Sequence, residues 1–160
     1  MDQIIIDGYN LIHRVPRLSQ HLAESLEAAR EALIQQLKTY LLNKKVKITL
    51  VFDGCSPPLG IDSQSYFRSL KVIFSRPPFK ADPLIKNLIA KAPRKKSVLV
   101  VSDDAEIKQF AKAHQAHVIS TLDFYDRLSK KSVQDEFYQK FDKELSQEEL
   151  AKWLEIFGEK

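Results

Sequence analysis

The sequence predicts an α/β domain built on a mainly parallel, five-stranded sheet of order 3-2-1-4-5. Three observations carry this expectation. Short β-branched runs alternate with stretches at helical spacing. The runs are continuously apolar, as in strands buried on both faces. Aspartates recur where strands end, and open α/β sheets bind ligands outside those C-terminal ends.

The elements follow in order. Gln3-Ile4-Ile5-Ile6 reads as the first strand and runs into Asp7-Gly8-Tyr9-Asn10. Residues 22–42 read as a helix, because Leu22, Leu26, Ala29, Leu33, Leu37, Tyr40 and Leu41 form one stripe. Glu24, Glu27 and Glu31 lie toward its start, where the helix dipole favours negative charge. Lys47 to Phe52 reads as the second strand and ends at Asp53-Gly54. Pro57, Pro58 and Gly60 mark residues 55–64 as a loop. Leu70 to Phe74 is the third strand, followed by a loop with Pro77-Pro78. Asp82 reads as an N-cap with Pro83 at the first helical position, opening a helix that stops at Pro93. Ser97 to Val101 is the fourth strand and ends at Ser102-Asp103-Asp104. A helix with Ile107, Phe110 and Ala111 facing inward follows. Ala116 to Ile119 is the fifth strand, and Thr121 caps a helix to Leu128.

Residues 132–160 change character. The spacing predicts a helix near 146–157 with Trp153 and Phe157 on one face, opened by the capping-box pair Ser146 and Glu149. The expected organisation is a domain over residues 1–131 with an acidic helical extension over 132–160. Charge divides in the same way. Residues 1–131 hold 21 Lys/Arg against 13 Asp/Glu, a net of +8, and residues 132–160 hold 4 against 8, a net of −4. A basic body suits a polyanionic partner.

Composition narrows the classes. One cysteine, Cys55, excludes an internal disulfide and a Cys-rich zinc site. No run approaches the length of a membrane span, and Met1-Asp2-Gln3 lacks the basic start of a signal peptide, so a cytoplasmic protein without a membrane partner is expected. The four glycines stand in neither dinucleotide-binding nor Walker spacing. His13, His21, His114 and His117 are scattered.

What remains is the carboxylate set: Asp7 after the first strand, Asp53 after the second, Asp82 at the next helix start, and Asp103 and Asp104 after the fourth. Any one of them is more often a cap than a ligand. Together, on neighbouring strand ends, they repel unless a cation lies between them, by roughly 4 kcal/mol per pair at about 4 Å and an effective dielectric of about 20. Oxygen-only donors suit a hard ion, Mg²⁺ or Mn²⁺.

The motifs then acquire a family likeness. Ile4-Ile5-Ile6-Asp7-Gly8-Tyr9-Asn10 resembles the opening signature of NYN domains, a branch of the PIN-like nuclease superfamily. Val51-Phe52-Asp53-Gly54, Ala81-Asp82 and Val100-Val101-Ser102-Asp103-Asp104 resemble the later motifs of its YacP-type members, in the right order. The resemblance implies a three-layer α/β/α PIN-like fold and metal-dependent endoribonuclease chemistry on RNA, with mRNA or the ribosome as candidate settings. It implies a catalytic set of Asp7, Asn10, Asp53, Asp82 and Asp104. Asp7, Asp82 and Asp104 match the metal-binding acids, and Asp103 is a further candidate ligand. Arg14, Arg17, Arg68, Arg76 and Lys80 are expected to grip RNA from loops on the C-terminal side of the sheet, with Tyr9 and Phe79 as base-stacking candidates.

There are departures from the family pattern. Lys80 replaces a threonine, Pro83 follows Asp82, and Lys86 stands where an acid is frequent. They keep open an alternative, a weak or inactive module that binds RNA or the ribosome. A phosphatase-like hydrolase is the other rival, and one ion or two both remain open.

Overall fold

The computed structural model describes residues 2–53, 64–75 and 80–129. Arg76, Phe79 and the tail helix expected at 146–157 lie outside them. The chain divides into two compact units, Met1–Leu128 and Ser129–Lys160, and the sheet belongs to the first.

Its elements are β1 (Gln3–Asp7), α1 (Gly8–Arg14), α2 (Pro16–Ser19), a 3₁₀ turn (Gln20–Ala23), α3 (Leu26–Leu41), β2 (Lys47–Phe52), β3 (Gln64–Phe67), β4 (Leu70–Phe74), α4 (Ala81–Lys91), a second 3₁₀ turn (Lys95–Ser97), β5 (Val98–Val101), α5 (Ala105–Ala113) and β6 (His117–Ile119). Residues 121–129 form α6. The sheet order is β3-β4-β2-β1-β5-β6. All pairings are parallel except β3 with β4. The five expected strands therefore stand in the expected order, and β3 adds an antiparallel edge strand that is not among the expected elements.

β1 is central and buried on both faces, so its side chains feed two cores. Ile4 and Ile6 join Leu11, Ile12, Leu33, Leu37, Phe52 and Phe124 on the face covered by α1, α3 and α6. Ile5 joins Val51, Ile85, Ile89, Val100 and Ile107 under α4 and α5. Alternation of strand side chains thus builds the three layers. No described helix is long and apolar enough to cross a membrane.

Several boundaries differ from expectation, each for a local reason. The helix expected at 22–42 starts at Leu26, because Ser25 caps it: its hydroxyl accepts from the Ala28 N–H at 2.9 Å. Leu22 belongs to the preceding 3₁₀ turn. Helix α4 starts one residue before Asp82, with Lys80 as N-cap, so Asp82 lies inside the first turn and is not the cap. Ser120, not Thr121, caps α6, its hydroxyl accepting from the Asp123 N–H at 3.1 Å.

Candidate metal centre

The register brings the acids to one end of the sheet. Asp7 pairs with Val51 on one side, and Ile6 pairs with Val101 on the other. Asp7 therefore stands level with Ser102, one residue before Asp103. Asp53 lies two residues beyond Val51. At about 4.8 Å between strands and about 3.3 Å per residue, its backbone is roughly 8 Å from that of Asp7.

Gly8 makes the tight turn from β1 into α1 possible. A Cβ there would stand 2.5 Å from Cε1 of the buried Phe52 ring and 2.9 Å from the Val51 carbonyl oxygen. With no side chain at Gly8, α1 starts directly against β2, and its first turn folds back over the strand end. The Asn10 backbone N–H then donates to the Asp7 carboxylate. The Asn10 side-chain oxygen accepts from the Asp103 N–H at 2.9 Å. Asn10 thus fixes the chain after β1 to the chain after β5.

Ser102 was not singled out in the sequence, yet it joins the two strands. Its fully buried hydroxyl donates to Asp7 Oδ2 at 3.3 Å and accepts from the Asp104 N–H at 3.1 Å. Asp104 itself caps α5, Oδ1 accepting from the Ile107 N–H at 3.0 Å. The available signal was a small hydroxyl residue ending a fully apolar strand, but serine is too common at such positions to mark it.

Burial, the negative charge of Asp82 and, more weakly, that of Asp104 push the Asp7 carboxyl up to about 6, against the hydrogen bonds from Ser102 and Asn10. Asp82 is also raised, by partial burial and by Asp104, with Glu106 and Asp53 adding and Lys86 opposing. Asp7, Asp82, Asp104, Asp53 and Glu106 therefore share one electrostatic field. Glu106, in the first turn of α5, is a member the sequence reading did not include.

Asp103 is used differently. One oxygen accepts from the Thr121 N–H and the other from the Thr121 hydroxyl. With both oxygens engaged, Asp103 ties the β5–α5 turn to the start of α6, which weighs against the ligand role suggested for it. Asp53 accepts from the Ser75 hydroxyl at 3.4 Å and is exposed at the rim.

The basic candidates scatter. Lys80 is exposed at the start of α4, beside Asp82. Arg14 and Arg17 are exposed on α1 and α2, not in a loop. Arg68 lies in the β3–β4 turn, before β4 begins. Since β4 runs parallel to β2, that turn is at the opposite end of the sheet from Asp7, and the expected C-terminal placement of Arg68 is wrong. Tyr9 packs on Phe52 with ring centroids 4.9 Å apart, and Arg30 Nη1 donates to its hydroxyl at 2.9 Å.

Among the described residues no three His, Cys, Asp or Glu side chains stand close enough to form a metal cage by themselves. The donor chemistry nevertheless fits a hard divalent ion. The set is oxygen-only, Asp7 is held partly out of water among like charges, and Mg²⁺ commonly uses one or two carboxylates while keeping several waters.

The description "YacP-like NYN domain" is that of a family model that matches residues 4–157. The YacP protein of Bacillus subtilis (strain 168) is 33% identical over 88 residues, 55% of this chain and 51% of that protein, so the matched stretch spans about half of that relative's length. A crystal structure of Rae1 (YacP) from Bacillus subtilis is similar at a TM-score of 0.73 and 23% identity, over 89% of this chain and 83% of that one. A point variant of that protein gives a TM-score of 0.72 at 24% identity, over 91% and 87%. At these identities the likeness to the solved structures is one of fold.

Proposed function

The chain belongs to the YacP-like NYN domain family, and from that premise we propose that it is a metal-dependent endoribonuclease hydrolysing RNA phosphodiester bonds. The observation that carries this reading is the Asp7 carboxyl: half-buried at a strand end, linked through Ser102 to the Asp104 cap, and raised to about 6 by burial and by Asp82. A carboxylate kept in that position at neutral pH calls for a cation.

Asp7 and Asp104 would hold Mg²⁺ or Mn²⁺, with Asp82 acting through water. Such an ion, when bound, offsets charge on the scissile phosphate and makes a water more acidic. The protein's own groups prepare the site. Ser102 and the Asn10 N–H orient the Asp7 carboxylate. Asn10 also holds the Asp103–Asp104 turn in register, acting as a positioning residue. The α5 N-terminus adds a partial positive charge beside Asp104. Lys80, exposed next to Asp82, would contact the RNA backbone without reading sequence.

The reading extends to a cytoplasmic protein whose nuclease domain, residues 1–131, carries an acidic helical extension over 132–160, with mRNA or the ribosome as its setting. One observation favours the alternative of a weak or inactive RNA-binding module: Lys86 sits within the acidic field and lowers its charge.

Cleavage of a structured RNA with added Mn²⁺, by wild type and by Asp7→Asn, tests the assignment. Wild type should cut and Asp7→Asn should lose at least about 10²-fold in rate, the scale of removing one preorganised electrostatic group. Cleavage retained by a clean Asp7→Asn preparation would overturn it. Binding of RNA without cleavage by wild type would favour the inactive module.

A further inference from the structure

Helix α4 is oriented by Ala81, Ile85 and Ile89, which are buried against the sheet. That leaves Asp82 and Lys86, four residues apart, as neighbours on one flank of the helix. Lys86 reaches across to α5, where its Nζ lies 3.4 Å from Glu106 Oε2 and 5.9 Å from the centre of the Phe110 ring. Glu106 and Phe110 are again four apart. The ammonium therefore lies between the two helix starts that carry acids: Asp82 on α4, and Asp104 with Glu106 on α5. Its side chain is 30% exposed, whereas that of Glu106 is 75% exposed. Lys86 is thus the more enclosed member of the pair.

A lone exposed pair of this kind contributes little to stability. Its position matters more than its strength. Lys86 stands one helical turn from Asp82 and reaches Glu106 on the neighbouring helix, so a positive charge is built in among these acids.

We propose that Lys86 is a built-in counter-cation, holding the Asp82–Glu106 side of the cluster so that the site takes one divalent ion, on the Asp7–Asp104 side, rather than two. A second ion at Asp82 would stand beside an ammonium already paired with Glu106. Glu106 is thus paired by the chain itself, and Asp82 remains available to a water of the single ion. This inference rests on the metal-dependent reading above.

The test is Mn²⁺ binding to the full-length chain, followed by electron paramagnetic resonance of the free ion, for wild type, Lys86→Arg, Lys86→Gln, Lys86→Glu and Asp7→Asn. Wild type and Lys86→Arg should bind one ion. Lys86→Glu should bind a second. Lys86→Gln should bind the first roughly tenfold more tightly, as expected when a nearby like charge is removed. A thermal melt adds a readout that a simple brace between α4 and α5 would not move: Lys86→Gln should melt lower than wild type in EDTA, and Mn²⁺ should abolish the difference. Two ions in wild type would overturn the proposal. So would one ion at unchanged affinity in Lys86→Gln and Lys86→Glu, while loss of binding in Asp7→Asn leaves the metal reading intact. Absence of Mn²⁺ binding in every protein would instead overturn the metal reading, and this inference with it.

Discussion

Asp7 makes a pH-dependent contribution whose sign follows from its environment. Its carboxyl is raised in the folded chain from an ordinary value of 3.8 to about 6. Below the lower value both folded and unfolded chains keep the proton. Between the two, the folded chain holds a proton that the unfolded one has lost, so stability falls as pH rises, and above about pH 6 the cost is complete. A shift of this size corresponds to about 3 kcal/mol. In EDTA, the melting temperature should therefore fall between about pH 4 and pH 6. Asp7→Asn should flatten that profile and raise stability at pH 7 by about 1–2 kcal/mol, since some hydrogen bonding from Ser102 and Asn10 is lost. Thermal melts across that range check it; an unchanged slope in Asp7→Asn would show that another group governs it. At this scale the placement of the carboxylates was legible. Asp7, Asp82 and Asp104 do share one field, because turns that follow parallel strands gather at one end of the sheet, and Asn10 joins them through hydrogen bonds. The partners were not legible. Asp103 and Asp104 are adjacent in sequence, and only the fold shows one bound to Thr121 and the other capping α5.

At the scale of elements, the β1–α1 junction is the most demanding feature. A side chain at Gly8 would enter the space of the Phe52 ring, and the Val51 carbonyl oxygen blocks its retreat. Gly8→Ala should cost about 2–3 kcal/mol, as overpacking of a closed core does. Urea unfolding measures it, and a loss under about 0.5 kcal/mol would mean that α1 can shift outward. In the sequence Gly8 stands only as part of the segment after the first strand, since a clash with a residue 44 positions later has no local trace. Core strands and the long helix were legible, because continuous apolar runs and a 3.6-residue stripe are strong signals. Three short elements were not. Helices α1 and α2 have four to seven residues and owe their form to packing on β2 and α3, and β3 owes its form to its pairing with β4. The cap of α4 was misread because Asp-Pro fits the capping rule so well. The first turn accommodates Pro83 equally well at the third helical position, where no intrahelical N–H bond is required.

For the whole molecule, the two ends of the sheet differ. Acids gather at the C-terminal end, and Arg68 lies at the other. In an Asp7→Asn background, binding of single-stranded RNA should weaken with salt. Lys80→Gln should make the log–log slope shallower by about 0.7, the value for one phosphate contact on a single strand, and Arg68→Gln should leave it unchanged. Fluorescence anisotropy at several salt concentrations measures both, and equal effects would show that RNA wraps past the strand ends. The sheet order has another consequence, in the timing of synthesis. Of the strands in this sheet, the earliest in sequence is a central one, and its two neighbours begin at Lys47 and Val98. The hydroxyl that joins its aspartate to the opposite strand comes 95 residues later. A nascent chain that has exposed only β1 to α4 holds four of the six strands and still lacks Ser102, Asp104 and Glu106. The last strands both complete the core and close the carboxylate end of the sheet, so a partly made chain has not yet assembled the site on which the proposed activity depends.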